Sequence, residues 1–494
     1  MSSKWPVVLI DDIKADLKNA ITIGPFGSRM KSDCYVESGI PVIRGTNLGP
    51  TPNFINEFVY ITIDKADELA SCNVYKNDLV FPHRGSIGEV GIVEHDKRYV
   101  LSSSLMKLTC DPHKACPKYI YYFFKSNQGR HELLKNSSQV GTPGIGQPLS
   151  SLKAIELPLP TLNEQSKIAK ILGELDEKIE LNQVINQTLE QMAQALFKSW
   201  FVDFEPVKAK MAALEAGGSQ EDATLAAMTA ISGKDADALT VFEHEHPEQY
   251  AEIKATAELF PSAMQESELG GGPEGWKFQP FGELLSHTIG GDWGKDESDD
   301  KHKMPVRIIR GTDIPNIKSC QDSNVPFRYV EEKKLKTRSL NAGDIVIEVS
   351  GGSPTQPTGR SIYVTDEILK RLSLPVEPAS FCRLFRPKSK ELGMVLGLHL
   401  EKIYQDGKTW LYQNQSTGIS NFQTKVFLEN EMVAVAQSEI LKLFYKATLP
   451  FVKLMHSSEN IKLTQLRDTL LPKLLSGEIT LPEAEQAVSE AENV

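Results

Sequence analysis

The hydrophobic pattern of the chain is most regular between Pro158 and Phe204, where apolar residues recur mostly at steps of three and four. Pro158 and Pro160 stop a helix from continuing from upstream, and Thr161 with Glu164 has the spacing of an N-terminal capping box. The pattern predicts one helix of roughly 60 Å with a narrow seam at nearly heptad spacing. The apolar residues of this seam are Ile168, Leu172, Leu175, Ile179, Ile185, Leu189, Met192 and Leu196.

A narrow seam of this kind needs a partner helix, and the C-terminal part of the same chain contains a candidate. We predict a second helical segment from Glu429 to Leu475, with a kink or break at Pro450. One of its faces is expected to pack on the part of the first seam between Ile185 and Leu196. Asn182, a polar step in that seam, would fix the register of the pair. The face of the second segment consists of Leu463, Leu466, Leu470 and Leu474.

Short segments recur in the same order in the two halves of the chain, which indicates a tandem duplication. The segments Val42–Asn47 and Ile308–Asp313 match at an offset of 266 residues, as do Asn77–Val80 and Gly343–Val346. Three further matches keep offsets between 266 and 275 residues. They pair the surroundings of Trp5 and Trp276, Thr142–Ile145 with Ser416–Ile419, and Asn186–Leu196 with Asn460–Leu470.

The repeat predicts an α+β architecture, in which two similar mixed α/β domains are separated by two long antiparallel helices. Within each domain, short β-type runs alternate with turns rich in Gly, Pro and Ser. We place the first domain at residues 1–157, the central helix at 158–204, a helical insert and linker at 205–274, the second domain at 275–428, a C-terminal helical spacer at 429–480 and an acidic, fraying tail at 481–494.

The charge distribution bears on nucleic-acid binding. The net charge of −11 argues against it at first. However, residues 1–160 carry 18 Lys and Arg against 16 Asp and Glu, and residues 271–430 carry 22 against 20. The acid is concentrated in residues 161–270, which carry 8 basic and 20 acidic side chains. The two domains can therefore carry basic faces that bind nucleic acid. The alternative is that these charges are ordinary solvated surface charges.

The sequence contains no motif for catalysis or metal binding. It has no P-loop, dinucleotide-binding, HExxH or GxSxG motif, and no tetrapeptide typical of amino-methyltransferases. The six cysteines are scattered without a CxxC pair, and the N-terminus lacks the features of a signal peptide. No apolar run is long enough to span a membrane. We therefore expect a cytoplasmic protein without a catalytic site, metal or cofactor of its own.

Several segments together resemble the specificity subunits of type I restriction-modification systems. They are Gly24–Ser28 with Gly39–Gly45, LPLPTLNEQSKIAKIL, INQTLEQMAQALFKSWFVDFEPV, ELFPSAMQESELG with PEGW after it, and LTQLRDTLLPKLLSGEI. They lie in both halves and in both helical segments, so the resemblance covers most of the chain. The second half departs from the family where Phe427–Gln437 replaces the expected proline-rich turn and Glu-Gln pair.

The resemblance implies that each domain is a target-recognition domain that reads one half of a split target in double-stranded DNA. The two long helices would form a rigid spacer with a pseudo-two-fold axis. Two methyltransferase (modification) subunits would bring S-adenosylmethionine and methylate adenine N6, and restriction/translocase subunits would bring ATP and Mg. Two half-sites about one helical turn apart, roughly 34 Å, suit such a duplicated reader. The system would serve host defence in the bacterial or archaeal cytoplasm.

Base reading requires hydrogen-bonding side chains on turns that reach a groove of the DNA. Such side chains lie in turns flanked by Gly, Pro or Ser. In the first domain the candidates are Arg29, Lys31, Arg44, Thr46, Asn47, His83, Arg84, Ser86 and Gln139. In the second domain they are Lys295, Arg310, Thr312, Ser353, Thr355, Gln356, Arg360, Gln413 and Gln415.

Two alternatives are open for these candidates. The repeated segment that begins with Arg44 and Arg310 is equally well a turn that the fold requires. At the level of the whole chain, a scaffold that carries two protein-interaction modules without a DNA role is the other class of function. The Arg-bearing turns favour DNA, whereas the acidic net charge favours the scaffold.

Overall fold

The computed structural model describes residues 5–138, 143–266, 271–353, 355–416 and 419–492. The chain divides into two compact units. One consists of Met1–Asn182 with Glu459–Val494, and the other of Gln183–Ser458. Each unit contains one domain of mixed helices and strands and part of the helical segments, so the predicted fold class is confirmed.

The described residues of the first part of the chain form twelve short strands and six α-helices. The strands are β1 Val7–Leu9, β2 Ile21–Ile23, β3 Ile40–Ile43, β4 Val59–Ile61, β5 Asn73–Val74, β6 Leu79–Pro82, β7 Gly91–Ile92, β8 Tyr99–Leu101, β9 Leu105–Leu108, β10 Ser137–Ser138, β11 Gly144–Ile145 and β12 Glu156–Pro158. The helices are α1 Ile10–Ile13, α2 Ile63–Glu68, α3 Pro117–Lys125, α4 Asn127–Leu134, α5 Pro148–Lys153 and α6 Leu162–Phe201.

The remainder begins with four helices and continues into the second domain. Its helices are α7 Glu205–Glu215, α8 Gln220–Ser232, α9 Ala236–Glu245, α10 Pro247–Leu259, α11 Ile314–Lys318, α12 Glu332–Arg338, α13 Asp366–Leu372, α14 Lys390–Gln405, α15 Thr424–Asn430, α16 Ser438–Met455, α17 Glu459–Ser476 and α18 Leu481–Glu492. Its strands are β13 Met264–Gln265, β14 Gly272–Pro273, β15 Lys277–Pro280, β16 Leu285–Gly290, β17 His302–Ile309, β18 Phe327–Glu331, β19 Ile345–Glu348, β20 Ser350–Gly351, β21 Ser361–Tyr363, β22 Val376–Pro378, β23 Cys382–Pro387, β24 Gln413–Ser416, β25 Ile419–Phe422 and β26 Met432–Val435.

The two domains have closely matching sheets, although among the described residues the second sheet has four strands in the first domain and three in the second. The first has a sheet in the order β2-β9-β6-β7 and the second has β16-β23-β19-β21. A second sheet runs β4-β3-β8-β5 in the first domain and β18-β17-β22 in the second. In the second sheet of each domain one pair is parallel, β3 with β8 and β17 with β22. The pair β1–β12 corresponds in the same way to β15–β26. These correspondences confirm the duplication.

One of the matched segments is out of register by three residues. The N–H of Ile145 donates to His83 O, and the N–H of Phe422 donates to Val349 O, so Ile145 corresponds to Phe422. The sequence comparison had paired Ile145 with Ile419. Both segments contain a Gly-Ile pair. This local similarity aligns the two sequences three residues away from the correspondence that the strands adopt.

A repeated Asp anchors the strand β6 or β19 at its start. The Asp78 carboxylate accepts hydrogen bonds from the Tyr75 N–H at 2.9 Å and from Lys107 Nζ at 3.1 Å. Asp344 accepts from the Asn341 N–H at 2.7 Å and from Arg386 Nη2 at 2.7 Å. Both carboxylates are almost fully buried. The matched Asp residues therefore hold the same turn in both domains.

The N-terminal half of α6 packs in the first unit as the seam predicts. Leu175 and Ile179 are buried in one apolar core with Leu463 and Leu470 of α17, and Leu466 packs against that core. The helices are antiparallel, because Asp176 accepts from Arg467 while Asn182 Nδ2 donates to Asn460 Oδ1 at 3.0 Å. These polar pairs fix the register of α6 against α17.

The C-terminal half of α6, in the second unit, buries a different face from the one predicted. Ile185 and Met192 are 38% and 47% exposed, and Leu189 and Leu196 are only partly buried. The buried side chains are instead Ala193, Phe197, Trp200 and Phe201. Phe197 and Phe201 meet Phe444 of α16, with ring centroids 6.5 and 4.9 Å apart. A straight α-helix drifts by about 20° per heptad, so a strict heptad pattern leaves the packed face after a few turns.

The C-terminal segment also differs from its prediction. Residues 432–435 form strand β26 on β15 instead of helix, so the long helix begins at Ser438. Pro450 is exposed and lies inside α16 without ending it. The break lies at residues 456–458. The predicted fraying tail is helix α18, whose Ala484 is fully buried.

The insert between the domains is helical, as predicted, and has a small core of its own. Ala227, Met228, Leu239 and Ala257 are buried together. The buried Lys210 ammonium donates to the carbonyl oxygens of Ala257 and Phe260 at the end of α10. Burial lowers the pKa of Lys210. Among the described residues, no helix is both long and apolar enough to cross a membrane.

Candidate nucleic-acid interface

The repeated Arg-Gly segment forms the same turn in both domains, held by hydrogen bonds between its own residues. The Arg44 N–H donates to Asn47 Oδ1 at 2.9 Å, and the Arg44 guanidinium donates to Glu57 O at 2.9 Å. The Arg310 N–H and guanidinium donate to the Asp313 carboxylate at 2.7–2.9 Å. This bond with Asp313 raises the pKa of Arg310. Hydrogen bonds within the domain therefore use most of the polar groups of the turn, which favours its role as a turn that the fold requires.

Two of the proposed base readers are enclosed within the first domain. Asn47 is fully buried and donates to Ile55 O at 2.9 Å. His83 is 2% exposed, and its Nε2 lies 3.1 Å from Ser103 O. Burial lowers the pKa of His83. The structure contradicts a base-reading role for both side chains, because they are committed to the packing of the domain.

Five of the remaining first-domain candidates are exposed. Thr46 is exposed on the Arg44 turn, and Arg84 and Ser86 are exposed on the loop after β6. A Cβ added at Gly45 would lie 3.0 Å from Ser86 Oγ, so the turn and the loop are neighbours. Arg29 and Lys31 are exposed on a turn that begins beside Ser102. Gln139 lies outside the described residues.

In the second domain, four of the predicted residues line one cavity of about 790 Å³. They are Arg310, Thr312, Gln356 and Arg360. Thr312 and Gln356 are exposed at this cavity, whereas Arg360 is mostly enclosed. The topology of the domain thus brings together turns that are up to 50 residues apart in the chain. The result is a concave site with two guanidinium groups.

An ion pair that sequence reasoning did not anticipate lies in this cavity. Arg360 Nε donates to Glu348 Oε2 at 2.9 Å, and Nη2 donates to Oε1 at 2.5 Å. Glu348 is only 2% exposed. A Cβ added at Gly311 or Gly351 would lie 2.4 or 2.6 Å from Glu348 Oε1, so both positions require glycine. The bond to Glu348 raises the pKa of Arg360 and fixes the plane of its guanidinium.

Two exposed aromatic side chains also line the cavity. Trp293 is 37% exposed and Phe381 is 65% exposed. Arg328 lies 4.5 Å from the ring centre of Trp293 and forms an ion pair with Asp296. The sequence did hold a signal for Trp293, because Gly24-Pro-Phe-Gly27 and Gly291-Asp-Trp-Gly294 match at an offset of 267 residues. Phe381 and Glu348 carry no such signal.

The other second-domain candidates have mainly local roles. Ser353 and Thr355 bond to each other within their turn, at 3.2 Å between hydroxyl oxygens. Gln413 Oε1 accepts from the Thr358 N–H at 2.9 Å, and its Nε2 donates to Ser420 Oγ at 3.0 Å. Gln413 therefore braces the cavity loop against strand β25. Lys295 is exposed. The side chain of Gln415 lies outside the described part of the structure.

Comparison with known proteins gives consistent relatives. A family model described as type I restriction modification DNA specificity domain matches residues 25–191. The type I restriction enzyme HindI specificity subunit of Haemophilus influenzae is 31% identical over 482 residues, which cover 92% of this chain and 97% of that protein. The MjaIX specificity subunit of Methanocaldococcus jannaschii is 25% identical over 442 residues, with 86% and 85% coverage.

Solved structures include chains of similar extent. The S subunit of a type-I restriction-modification system from M. genitalium is 18% identical to this chain. The match covers 96% of both chains, with a TM-score of 0.48.

Proposed function

The chain belongs to the family of type I restriction-modification DNA specificity subunits, and we propose that its two domains read the two halves of a split DNA target. The main support is the pair of domains with matching folds, whose loops after β6 and β19 carry different side chains, Arg84 and Ser86 against Ser350 and Gly352. A duplicated fold that has diverged at its exposed turns suits two half-sites of unequal sequence. The chain is a non-catalytic subunit, so its contribution is recognition and assembly.

The division of labour between side chains follows from their exposure. Exposed cations such as Arg29, Lys31, Arg84 and Lys295 suit contacts to phosphates, which position a protein on the duplex. Thr46, Ser86, Thr312 and Gln356 suit contacts to base edges. Arg44, Arg310 and Gln413 support these groups from within their turns.

The assembly partners that we propose are two modification subunits and, with them, restriction/translocase subunits. S-adenosylmethionine on the modification subunits would methylate adenine N6, and ATP and Mg would act on the restriction subunits. The exposed apolar side chains Val184, Ile185 and Met192 on α6 give a surface on which a modification subunit can dock. Such a complex would act in the cytoplasm, where the host DNA is.

Sequencing of methylated bases in the host genome tests this function. Deletion of this gene should abolish N6-methyladenine at one split motif, and re-expression should restore it. Arg84→Ala should lower methylation at that motif without changing its sequence. A scaffold without a DNA role predicts no change at any motif. A continuous motif, instead of two parts with an unread spacer, would contradict the assignment of one half-site to each domain.

A further inference from the structure

The cavity of the second domain has a shape that ordinary groove reading does not require. Side chains that read a duplex must protrude, because base edges lie inside a groove. Here the guanidinium of Arg360 is recessed, with a side chain that is 14% exposed, and its partner Glu348 is almost fully buried. A recessed group of this kind meets only a chemical group that enters the cavity.

We propose that this cavity takes a guanine base swung out of the DNA helix at the second half-site. The inference rests on the proposed function and deepens it for one domain. A volume of about 790 Å³ lies within the range of roughly 300–1,000 Å³ that is usual for small-ligand pockets. The cavity therefore has room for a nucleoside that leaves the base stack.

The hydrogen-bonding pattern of Arg360 favours guanine. Its Nε and Nη2 atoms face the Glu348 carboxylate, so the end of the guanidinium, with Nη1 and the second hydrogen of Nη2, is left for a ligand. Among the described residues, Arg360 Nη1 has no acceptor. Guanine presents two adjacent acceptors, N7 and O6, which match the two donors of an arginine fork. Glu348 compensates the charge and holds the fork in one orientation.

The aromatic side chains supply the stacking surface that a displaced base needs. Trp293 is fixed by Arg328 at 4.5 Å from its ring centre, and Phe381 is unusually exposed for a phenylalanine. Stacking on aromatic side chains replaces the stacking energy that a base loses when it leaves its neighbours in the DNA helix. The same surface has little use in a domain that only touches groove edges.

The first domain lacks most of this chemistry at the equivalent positions. Strand pairing aligns Pro82 with Glu348, and Ser104 with Phe381. Phe26 matches Trp293 and keeps one exposed ring. However, Pro82 cannot orient an arginine, and Ser104 offers no second ring for stacking. The pocket is therefore specific to the second half-site, and the first domain serves as an internal control.

The test uses the complex with its modification subunits and duplexes that contain the methylated motif. Each guanine of the second half-site, on either strand, is placed in turn opposite thymine instead of cytosine. Weaker pairing lowers the cost of displacing a guanine, so one substitution should tighten binding about threefold or more. The same mismatches in the first half-site should leave binding unchanged or weaken it. A 2-aminopurine beside the responding guanine should brighten on binding, because it loses a stacking neighbour.

Phe381→Ser is the main variant, because Phe381 is exposed and serine is the first-domain residue. It should keep the fold and remove both the gain from the mismatch and the fluorescence change. The double variant Glu348→Gln with Arg360→Gln should do the same without leaving a charge buried alone. If the intact motif is bound but no guanine mismatch tightens binding, or if the second half-site has no guanine, the inference fails and the function stands. If no split motif is bound, the proposed function itself fails.

Discussion

The two domains share a fold but differ in where they bury charge. Strand pairing aligns Val100 of β8 with Glu377 of β22, and both side chains are fully buried. Neither carboxylate oxygen of Glu377 has a hydrogen-bond partner among the described residues. By contrast, the turn-forming residues Asp78 and Asp344 have kept their roles in both copies. Duplication thus preserved the polar groups that shape turns and allowed the strand interiors and exposed edges to diverge.

Substitution of the aspartates that hold the shared turns should give the largest loss of stability. Asp78→Ala should destabilise its domain by roughly 3–5 kcal/mol, because it leaves the buried Lys107 ammonium without its partner. Asp344→Ala should cost less, because its partner Arg386 is 28% exposed and stays in contact with water. Urea unfolding followed by a domain-specific fluorescent label would measure the loss. Glu332→Ala removes an exposed ion pair with Lys336 and serves as the control, with an expected change below about 0.5 kcal/mol. A small effect of Asp78→Ala would show that this carboxylate does not hold its turn.

Substitution of Glu377, which differs between the two domains, gives the next largest change in the free energy of unfolding. This change is expected to be stabilising. Burial, and to a lesser degree the charge of Asp292, raises the pKa of Glu377 to about 7. Since the pKa is higher in the folded state than in the unfolded chain, this group costs no stability below about pH 4.5, and the cost grows between about pH 4.5 and 7. Glu377→Val, which restores the first-domain residue, should therefore stabilise the second domain by roughly 3 kcal/mol at pH 8.

The pH dependence separates this effect from simple packing. Urea unfolding of Glu377→Val and of the native chain should give nearly equal stabilities at pH 4.5 and diverge as the pH rises. The reverse change, Val100→Glu, should destabilise the first domain with the same pH dependence. An advantage of Glu377→Val that is constant with pH would mean that the carboxyl finds a partner when it ionises.

Much of the architecture was predictable because it depends on local sequence. The turns at Arg44 and Arg310 recur in both halves, and the N-terminal seam of α6 follows from its spacing. The predictions failed where distant partners decide. Residues 432–435 form a strand because β15 pairs with them, and the second half of α6 rotates its buried face toward α16.

The candidate site was less predictable than the fold for a related reason. Polar residues in turns were correctly identified as exposed at Thr46 and Thr312, but the burial of Asn47 and His83 depends on segments folded over them. The cavity depends on Glu348 and Phe381, which look like ordinary strand residues in the sequence. Only the folded sheet places them beside Arg360.

Substitution of the glycine in the repeated turn should give a smaller difference in stability between the domains. A Cβ at Gly311 would displace Glu348, which is pinned by Arg360, so Gly311→Ala should cost roughly 1–2 kcal/mol. A Cβ at Gly45 meets only Ser86 Oγ, at 3.0 Å, and this exposed hydroxyl can rotate away. Gly45→Ala should therefore stay within about 0.5 kcal/mol. Thermal unfolding of the two variants measures the contrast, and equal losses would contradict it.

The two exposed threonines give the smallest effect and the most direct comparison of the half-sites. Thr46 and Thr312 occupy the same position of the same turn, and both are exposed. Thr46→Ala should weaken binding to the complete motif by about three- to tenfold through the first half-site, and Thr312→Ala through the second, since one lost base contact costs about 1 kcal/mol. Duplexes with one base pair changed in either half-site assign each loss, because a variant that has lost a contact no longer discriminates at that base pair. If both variants lose discrimination in the same half-site, the domains do not divide the target between them.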